Sequence, residues 1–355
     1  MAAIDGLLRK LTEAGGSDLH LAAGRVATYR KSGEIMPIPG EAVLGNDLLR
    51  GMLREMVDEA KWDSFCKMHD LDFAYALEGV GRFRGNFLEQ NHGVGAVFRL
   101  VPEQIIPAEK LGLPPIVPTL ADLESGLVLV TGPTGSGKST TLASIIDLVN
   151  RNHSRHIVTI EDPLEFVHQN KKSVLSHREV GRDTGSFSSA LKAALREDAD
   201  VILVGEMRDL ETISLAMEAA SMGVLVFGTL HTSSAAKTVG RIIDTFPGEQ
   251  QVQARNTLAD SLAAVVAQLL CKKVGGGRLG VHEILVRDKG LGGAIREGSP
   301  GALNSIISAG RGKGMQAMDD ALEAALKQNL IEGREAYLKA NEKKRFAQFA
   351  TIAEV

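Results

Sequence analysis

Cysteine and long apolar runs are both scarce in this sequence of 355 residues. Only Cys66 and Cys271 occur, with no CxxC pair, which excludes a structural four-cysteine zinc site and suits a reducing compartment. The longest apolar run, LAAVVAQLL over 262–270, is far shorter than the roughly 20 residues that span a bilayer. The first residues, MAAIDGLLRKLTEAGG, have the pattern of a short amphipathic helix and lack the apolar core of a signal peptide. We therefore expect a soluble, cytoplasmic protein.

An excess of positive charge is also missing. The net charge is −4 at pH 7, which argues against a constitutive nucleic-acid binder, so we expect no nucleic-acid partner. With 44% hydrophobic and 24% charged residues the composition is that of a globular protein, and the length favours two domains.

The amino-terminal part of the chain has the pattern of a small α+β domain. The segment VATYRKSGEIMPI predicts a hairpin around residues 31–33, and NDLLRGMLREMVDEAKWDSF has apolar residues at helical spacing. The runs LDFAYAL, RFRGNFLEQ and VGAVFRLV alternate like strands of an antiparallel sheet with one solvated face. A cluster of prolines then predicts a stiff connector: Pro102, Pro107, Pro114, Pro115 and Pro118. We predict an amino-terminal domain over 1–101, a proline-rich linker over 102–120 and a second domain over 121–355.

Short, almost wholly apolar runs dominate the second domain. They are GLVLVTG, HIVTIED, DVILVGE and VLVFGTLH, with helical patterns between three of them. Strands buried on both faces by crossover helices have this pattern, so we predict a parallel α/β sheet. After about residue 250 the pattern predicts mostly helix, including a docking stripe of Met315, Met318, Leu322 and Leu326.

The segment GPTGSGKS, residues 132–139, matches the phosphate-binding pattern GxxxxGK[ST] between an apolar strand and a helical run. Its glycines let consecutive N–H groups face a phosphate, and the following helix adds the positive end of its dipole. Lys138 can reach the β- and γ-phosphates, and Ser139 can offer its hydroxyl to Mg²⁺. No guanine-reading NKxD motif is present, which favours ATP. The predicted nucleotide-binding residues are Gly132, Pro133, Thr134, Gly135, Ser136, Gly137, Lys138, Ser139 and Thr140.

Acidic residues end two of the apolar runs: Glu161 and Asp162 follow one, and Glu206 follows another. Because ligands bind at the carboxyl ends of parallel strands, we expect these acids to face the γ-phosphate. One acid would orient the attacking water and another would hold hydrated Mg²⁺. The alternative is that either acid only caps the next helix. His231 ends the fourth run, where a γ-phosphate role and a structural role are both open.

These motifs, with SDLHL, GRFRGN, VFRLVP, IEDPLEFVH, VGEMRD, TLHTSSAAKT and KGMQAMDDALEAAL in the same order, resemble the PilT family of type IV pilus retraction ATPases. The resemblance spans roughly residues 17–330. It implies a RecA-like P-loop core, a PAS-like α+β amino-terminal domain and a helical carboxy-terminal region. It further implies a homohexameric, twitching-motility motor at an inner-membrane pilus platform, with peripheral membrane association and contact with other pilus ATPases.

The resemblance also implies roles for single residues. Glu161 would be the catalytic base, Glu206 would stand on the magnesium side together with Ser139, and His231 would lie near the terminal phosphate. Three arginines of the amino-terminal domain would reach the nucleotide: Arg82, Arg84 and Arg99.

Three segments depart from the family pattern. One of them, GRVATYR in place of a proline-containing segment, has no physical interpretation. Val224 stands where the family has a histidine, and the retraction signature IRxLIRE survives only as AIRE, with Gly292 in place of its first arginine. These departures favour retained ATPase machinery with altered coupling to the pilus base, and they keep open a PilU-like accessory ring subunit with weak activity. A pilus extension or type II secretion ATPase is a second alternative, although such chains commonly carry a four-cysteine metal insert that this sequence lacks. A nucleic-acid translocase is a third alternative, disfavoured by the net charge.

Overall fold

The computed structural model describes residues 2–31, 33–101 and 105–350. The chain divides into two compact units, Met1–Gln104 with Pro163–Val167, and Ile105–Asp162 with His168–Val355. The sequence places 163–167 in the second domain, whereas these residues belong to the first unit. The predicted boundaries at 101 and 120 stay a prediction, and Pro102 lies outside the described residues.

The first unit is built on a six-stranded antiparallel sheet in the order β4-β3-β1-β8-β7-β6. Its strands are β1 (Asp18–Ala22), β2 (Arg25–Val26), β3 (Thr28–Lys31), β4 (Glu34–Pro37), β5 (Val43–Leu44), β6 (Asp70–Leu77), β7 (Gly81–Gln90) and β8 (Gly93–Val101). Its helices are α1 (Asp5–Glu13), α2 (Asn46–Arg54) and α3 (Glu59–Met68). The hairpin β3–β4 and the alternating strands β6–β8 follow the sequence pattern. Phe83 and Phe87 of β7 and Phe98 of β8 are fully buried and belong to the core on one face of this sheet.

The helical pattern over 46–65 forms two helices rather than one. Leu49 and Leu53 of α2 are fully buried, and the chain leaves the helix after Arg54. Asp58 then starts α3 by accepting a hydrogen bond from the Lys61 N–H at 2.9 Å. Aspartate favours the position before a helix, so it starts a new helix within the pattern.

The second unit contains a seven-stranded sheet in the order β11-β10-β12-β13-β9-β14-β15. Its strands are β9 (Gly126–Thr131), β10 (His156–Glu161), β11 (Val174–Glu179), β12 (Val201–Val204), β13 (Leu225–Leu230), β14 (Leu262–Lys272) and β15 (Arg278–Val286). Its helices are α4 (Lys138–Asn152), α5 (Phe187–Ala194), α6 (Leu210–Ser221), α7 (Ala235–Asp244), α8 (Gln251–Ser261), α9 (Leu291–Glu297), α10 (Pro300–Ala309), α11 (Met318–Lys327) and α12 (Gly333–Lys339). Every pair is parallel except β14–β15, and the four predicted strands are β9, β10, β12 and β13.

The prediction of mostly helix after residue 250 is wrong for residues 262–286. The run LAAVVAQLL forms most of β14, which is hydrogen-bonded to β9 on one side and to β15 on the other. Because β14 is buried almost throughout, its sequence lacks the alternation that marks a half-exposed strand. The stripe at Met315 begins before the helix: Met315 is buried, but α11 starts at Met318.

From Ile105 onward, the proline-rich segment belongs to the second unit. Two short 3-10 turns, Ala108–Lys110 and Pro118–Asp122, lie within it. Val117 and Leu120 are buried in the core beneath α4. Among the described helices, none has both the length and the apolar character that a membrane crossing needs.

Candidate functional site

The predicted phosphate loop links β9 to α4 in the second unit. Gly132, Gly135 and Gly137 all have positive φ, at 147°, 75° and 89°, a region that side chains rarely enter. A Cβ on Gly132 would lie 2.2 Å from the main-chain oxygen of Gln268 and 2.6 Å from the Ser136 Oγ. The Lys138 Nζ donates hydrogen bonds to the carbonyls of Gly132 (2.9 Å) and Pro133 (3.2 Å). The loop therefore curls around the buried lysine, as phosphate binding requires.

The donors of this loop fit an anion. The Ser136 Oγ is buried and has no hydrogen-bond partner within the described ranges, so a phosphate oxygen would satisfy it. Helix α4 runs for 15 residues, with no side-chain cap and no acidic residue in its first turn. Its first N–H groups and the positive end of its dipole are thus left for a ligand.

The predicted acids and histidine lie at the same edge of this sheet. Glu161 is the last residue of β10, Glu206 follows β12, and His231 follows β13. A Cβ on Gly205 would lie 3.3 Å from the Glu161 Cγ, so Glu161 packs directly against the chain that leads into Glu206. Parallel strands carry their carboxyl ends to one edge, where β9 also delivers the phosphate loop.

Glu206 is the centre of a small ion-pair network. Its two carboxylate oxygens bind the His231 Nε2 at 2.8 Å and the Arg208 Nη2 at 2.5 Å. Partial burial raises the pKa of Glu206, but the hydrogen bond and charge of Arg208, with those of His231, bring the pKa below its usual value. Glu206 is therefore ionised at neutral pH.

The helix-cap alternative for the two acids finds no support. Helix α6, which follows Glu206, is capped by Asp209, whose carboxylate accepts from the Thr212 N–H at 2.8 Å. Helix α5, the next helix after Glu161, is capped by Ser186.

Three polar residues near this edge escaped the sequence prediction. Arg208 lies in the segment VGEMRD, where its position two residues after Glu206 is the one local signal for it. Glu283 of β15 is buried, and its carboxylate accepts from the N–H groups that start α7 (Ala235, 2.7 Å) and α11 (Met318, 3.3 Å). Gln268 of β14 contacts the phosphate loop. Glu283 and Gln268 are distant in sequence from the motifs, so no local pattern marks them.

The predicted arginines belong to the first unit, whereas the acids belong to the second. Arg82 and Arg84 of β7 and Arg99 of β8 share one sheet face, because Arg84 and Arg99 are directly opposite and Arg82 is two residues away. The Arg99 Nε binds the Asp18 Oδ1 at 2.7 Å. Burial raises the pKa of Asp18, but hydrogen bonds from Ser17 and Arg99 outweigh it and lower the pKa overall.

Val224 lies at the other end of β13 from His231. Its carbonyl accepts from the Gly126 N–H at the start of β9, at the amino edge of the sheet. Gly292 lies in α9, which packs on α8, and Arg296 of the surviving AIRE segment pairs with Asp260 at 2.6 Å.

A P-loop on a RecA-like parallel sheet, with acids at the ends of neighbouring strands, defines the class of P-loop nucleotide hydrolases. The model of the family "Type II/IV secretion system protein" matches residues 82–277. The type IV pilus retraction ATPase PilT of Pseudomonas aeruginosa is 45% identical over 95% of this chain and 98% of its own. A twitching motility protein of Neisseria gonorrhoeae is 49% identical over 76% of this chain and 73% of its own.

Solved structures agree with these relatives. The crystal structure of the pilus retraction motor PilT with bound ADP superposes with a TM-score of 0.90, at 42% identity over 97% of this chain and 99% of that one. The Legionella pneumophila ATPase DotB gives a TM-score of 0.80 at 28% identity, over 95% of each chain. The chain belongs to the PilT family of ATPases, within the type II/IV secretion system proteins.

Proposed function

We propose that this protein is a hexameric, ATP-hydrolysing motor that drives type IV pilus retraction, and with it twitching motility. The observation that carries the proposal is the common sheet edge, where the phosphate loop, Glu161 and the Glu206–His231 pair meet in a chain 45% identical to a pilus retraction ATPase.

The triphosphate would lie across the loop, held by residues 132–140. Strands β13, β12 and β10 lie on one side of β9. The acids stand at the ends of β10 and β12 and His231 at the end of β13, so the γ-phosphate would point that way. The nucleoside would then lie toward β14, on the other side. A cavity of about 310 Å³ opens there, between Pro133–Ser136, Leu270, Arg278 and Lys339. Its lining also includes Leu269 and Glu335, and this mixture of apolar and charged side chains would accommodate a purine base and its ribose.

In this arrangement Glu161 would deprotonate or orient the attacking water. The Ser139 hydroxyl and the ionised Glu206 would hold Mg²⁺ together with phosphate oxygens and water, an all-oxygen set that this ion prefers. Magnesium would neutralise charge that develops on the phosphates. The His231 Nε2 is hydrogen-bonded to Glu206. The imidazole would face the terminal phosphate, so its hydrogen bond would link the phosphate position to the Glu206 carboxylate.

The arginine face of the first unit would complete the site during turnover. Guanidinium groups carried on a separate domain, over 1–101, can stabilise transition-state charge only when the domains close, which would couple hydrolysis to motion. In a homohexamer the ring would turn this motion into force on an inner-membrane pilus platform. We place the protein in the cytoplasm, peripheral to that membrane, where it would also meet other pilus ATPases.

The test begins with turnover. Glu161→Gln keeps the size of the side chain but cannot take a proton, so we expect ATPase activity to fall at least about 100-fold. Glu211→Gln, an exposed acid in the first turn of α6, is the matched control and should retain activity. Equal, near-background turnover in wild type and Glu161→Gln would instead favour the accessory ring subunit.

Cells then test the direction of force. Deletion in a piliated host should leave more surface pili and abolish twitching. Loss of pili would contradict retraction and favour an extension or secretion ATPase.

A further inference from the structure

Gln268 is a buried amide in the middle of β14, next to the phosphate loop. Its Nε2 donates to the Ser136 carbonyl at 2.7 Å, and its Oε1 accepts from the Thr141 hydroxyl at 2.8 Å. A carbonyl can only accept, which fixes which end of the amide faces Ser136. One side chain thus joins the loop to the first turn of α4.

The backbone of the loop also presses on this residue. The Gln268 main-chain oxygen is the atom that a Cβ on Gly132 would strike, and its Nε2 lies 2.8 Å from where a Cβ on Gly137 would be. Both loop glycines therefore leave room for the same glutamine. Strand β14 forms one wall of the loop from Gly132 to Gly137.

The contact at Ser136 has a consequence for phosphate binding. In a planar trans peptide, the C=O of Ser136 and the N–H of Gly137 point in opposite directions. Because the carbonyl is held toward Gln268, the Gly137 N–H is held away from β14, on the side of the loop where phosphate oxygens would bind. This peptide is easily rotated because one of its two residues is Gly137, whose φ of 89° few side chains would allow. An outside donor is needed to keep this one in place.

We infer that Gln268 is a positioning residue for nucleotide binding, which locks the Ser136–Gly137 peptide so that its N–H faces the phosphates. The inference rests on the proposed nucleotide site. Gln268 does not touch the ligand itself. Loss of the Gln268 amide would weaken binding of the phosphates and leave the contacts with the nucleoside intact.

The experiment compares Gln268→Met with wild type in binding of ADP with Mg²⁺ and of adenosine, by calorimetry on the full chain. Methionine matches the volume of glutamine but cannot donate to Ser136. We expect ADP affinity to fall about tenfold or more, as for the loss of one oriented donor to a charged group, and adenosine affinity to stay within about twofold. Gln316→Met is the matched control, because the Gln316 amide likewise donates to a backbone carbonyl, that of His282, at 2.7 Å. That variant should lose stability but not ADP affinity.

The outcomes separate the two proposals. If wild type binds no ADP, the nucleotide site itself is wrong. If wild type binds ADP and Gln268→Met binds it within twofold, or if adenosine weakens equally, Gln268 does not position the loop. Should Gln268→Met fail to fold, Gln268→Asn takes its place, since asparagine is one methylene too short to reach both partners. If that variant also fails to fold, Gln268 is a folding residue and the inference is wrong.

Discussion

Because two histidines of the second unit are buried, we expect the folded protein to lose much of its stability in mild acid. His168 and His282 are 5% and 2% exposed. Neither ring nitrogen of His168 has a hydrogen-bond partner in the part of the chain that the structure describes, and the same is true of the His282 Nε2. The pKa of each is lowered to about 4, in His282 by burial and in His168 by burial together with the charge of the neighbouring His177. Both imidazoles are therefore neutral in the folded protein at neutral pH.

The direction in which stability changes with pH follows from proton linkage. Below pH 6.5 the unfolded chain protonates both histidines, whereas the folded chain excludes these protons until about pH 4. Stability must fall as the pH drops through this window and level off below it. At pH 5 the gap to the unfolded pKa is about 1.5 units, or about 2 kcal/mol for each histidine at about 1.4 kcal/mol per unit. The pair would remove about 4 kcal/mol, a large part of a typical 5–15 kcal/mol.

Urea denaturation of the full chain at pH 7 and pH 5 measures this loss in the free energy of unfolding. His282→Leu and His168→Leu each change baseline stability, so the quantity to compare is the drop between the two pH values within each variant. Each substitution should shrink that drop by about 2 kcal/mol. A drop as large in both variants as in wild type would refute the argument that burial keeps these imidazoles neutral.

Two further substitutions probe the elements around the site. Gly132→Ala places a Cβ against the Gln268 main-chain oxygen, a backbone atom that cannot move aside. We therefore expect the affinity for ADP, measured by calorimetry, to fall at least about 100-fold. An affinity within about threefold of wild type would show that the loop adapts. Glu283→Ala leaves the helix-starting N–H groups of Ala235 and Met318 buried without their acceptors, which should cost about 2–5 kcal/mol in urea denaturation. Glu283→Gln should cost less, because its one amide oxygen still accepts from one of the two N–H groups, and equal costs in the two variants would contradict the capping role.

The central strands of the second unit are predictable from sequence because each is marked by the composition of its own short segment. Strands β9, β10, β12 and β13 are short apolar runs between turn signals, and burial on both faces demands that composition. The acids at their ends could be placed at one edge for the same reason. Strand β14 was missed because leucine and alanine suit a buried helix as well as a buried strand, and only the hydrogen bonds to β9 and β15 decide between them.

Non-local contacts account for the other differences. Pro163–Val167 belongs to the first unit although it directly follows the core residues Glu161 and Asp162, and no feature of the segment itself indicates this. Gln268 is a single polar residue inside an apolar run. Its role depends on the phosphate loop that packs against it, and that loop lies far earlier in the sequence.

The position of Val224 bears on how the family departures should be interpreted. A six-residue parallel strand separates Val224 from His231, a rise of about 20 Å, so the two residues lie at opposite edges of the sheet. An imidazole at residue 224 could not reach a phosphate held at the carboxyl edge. Gly292 likewise lies in α9, outside the loop and the strand ends that carry the acids. The two departures thus leave the Glu206–His231 pair and the phosphate loop untouched, which favours altered coupling over lost hydrolysis as their physical consequence.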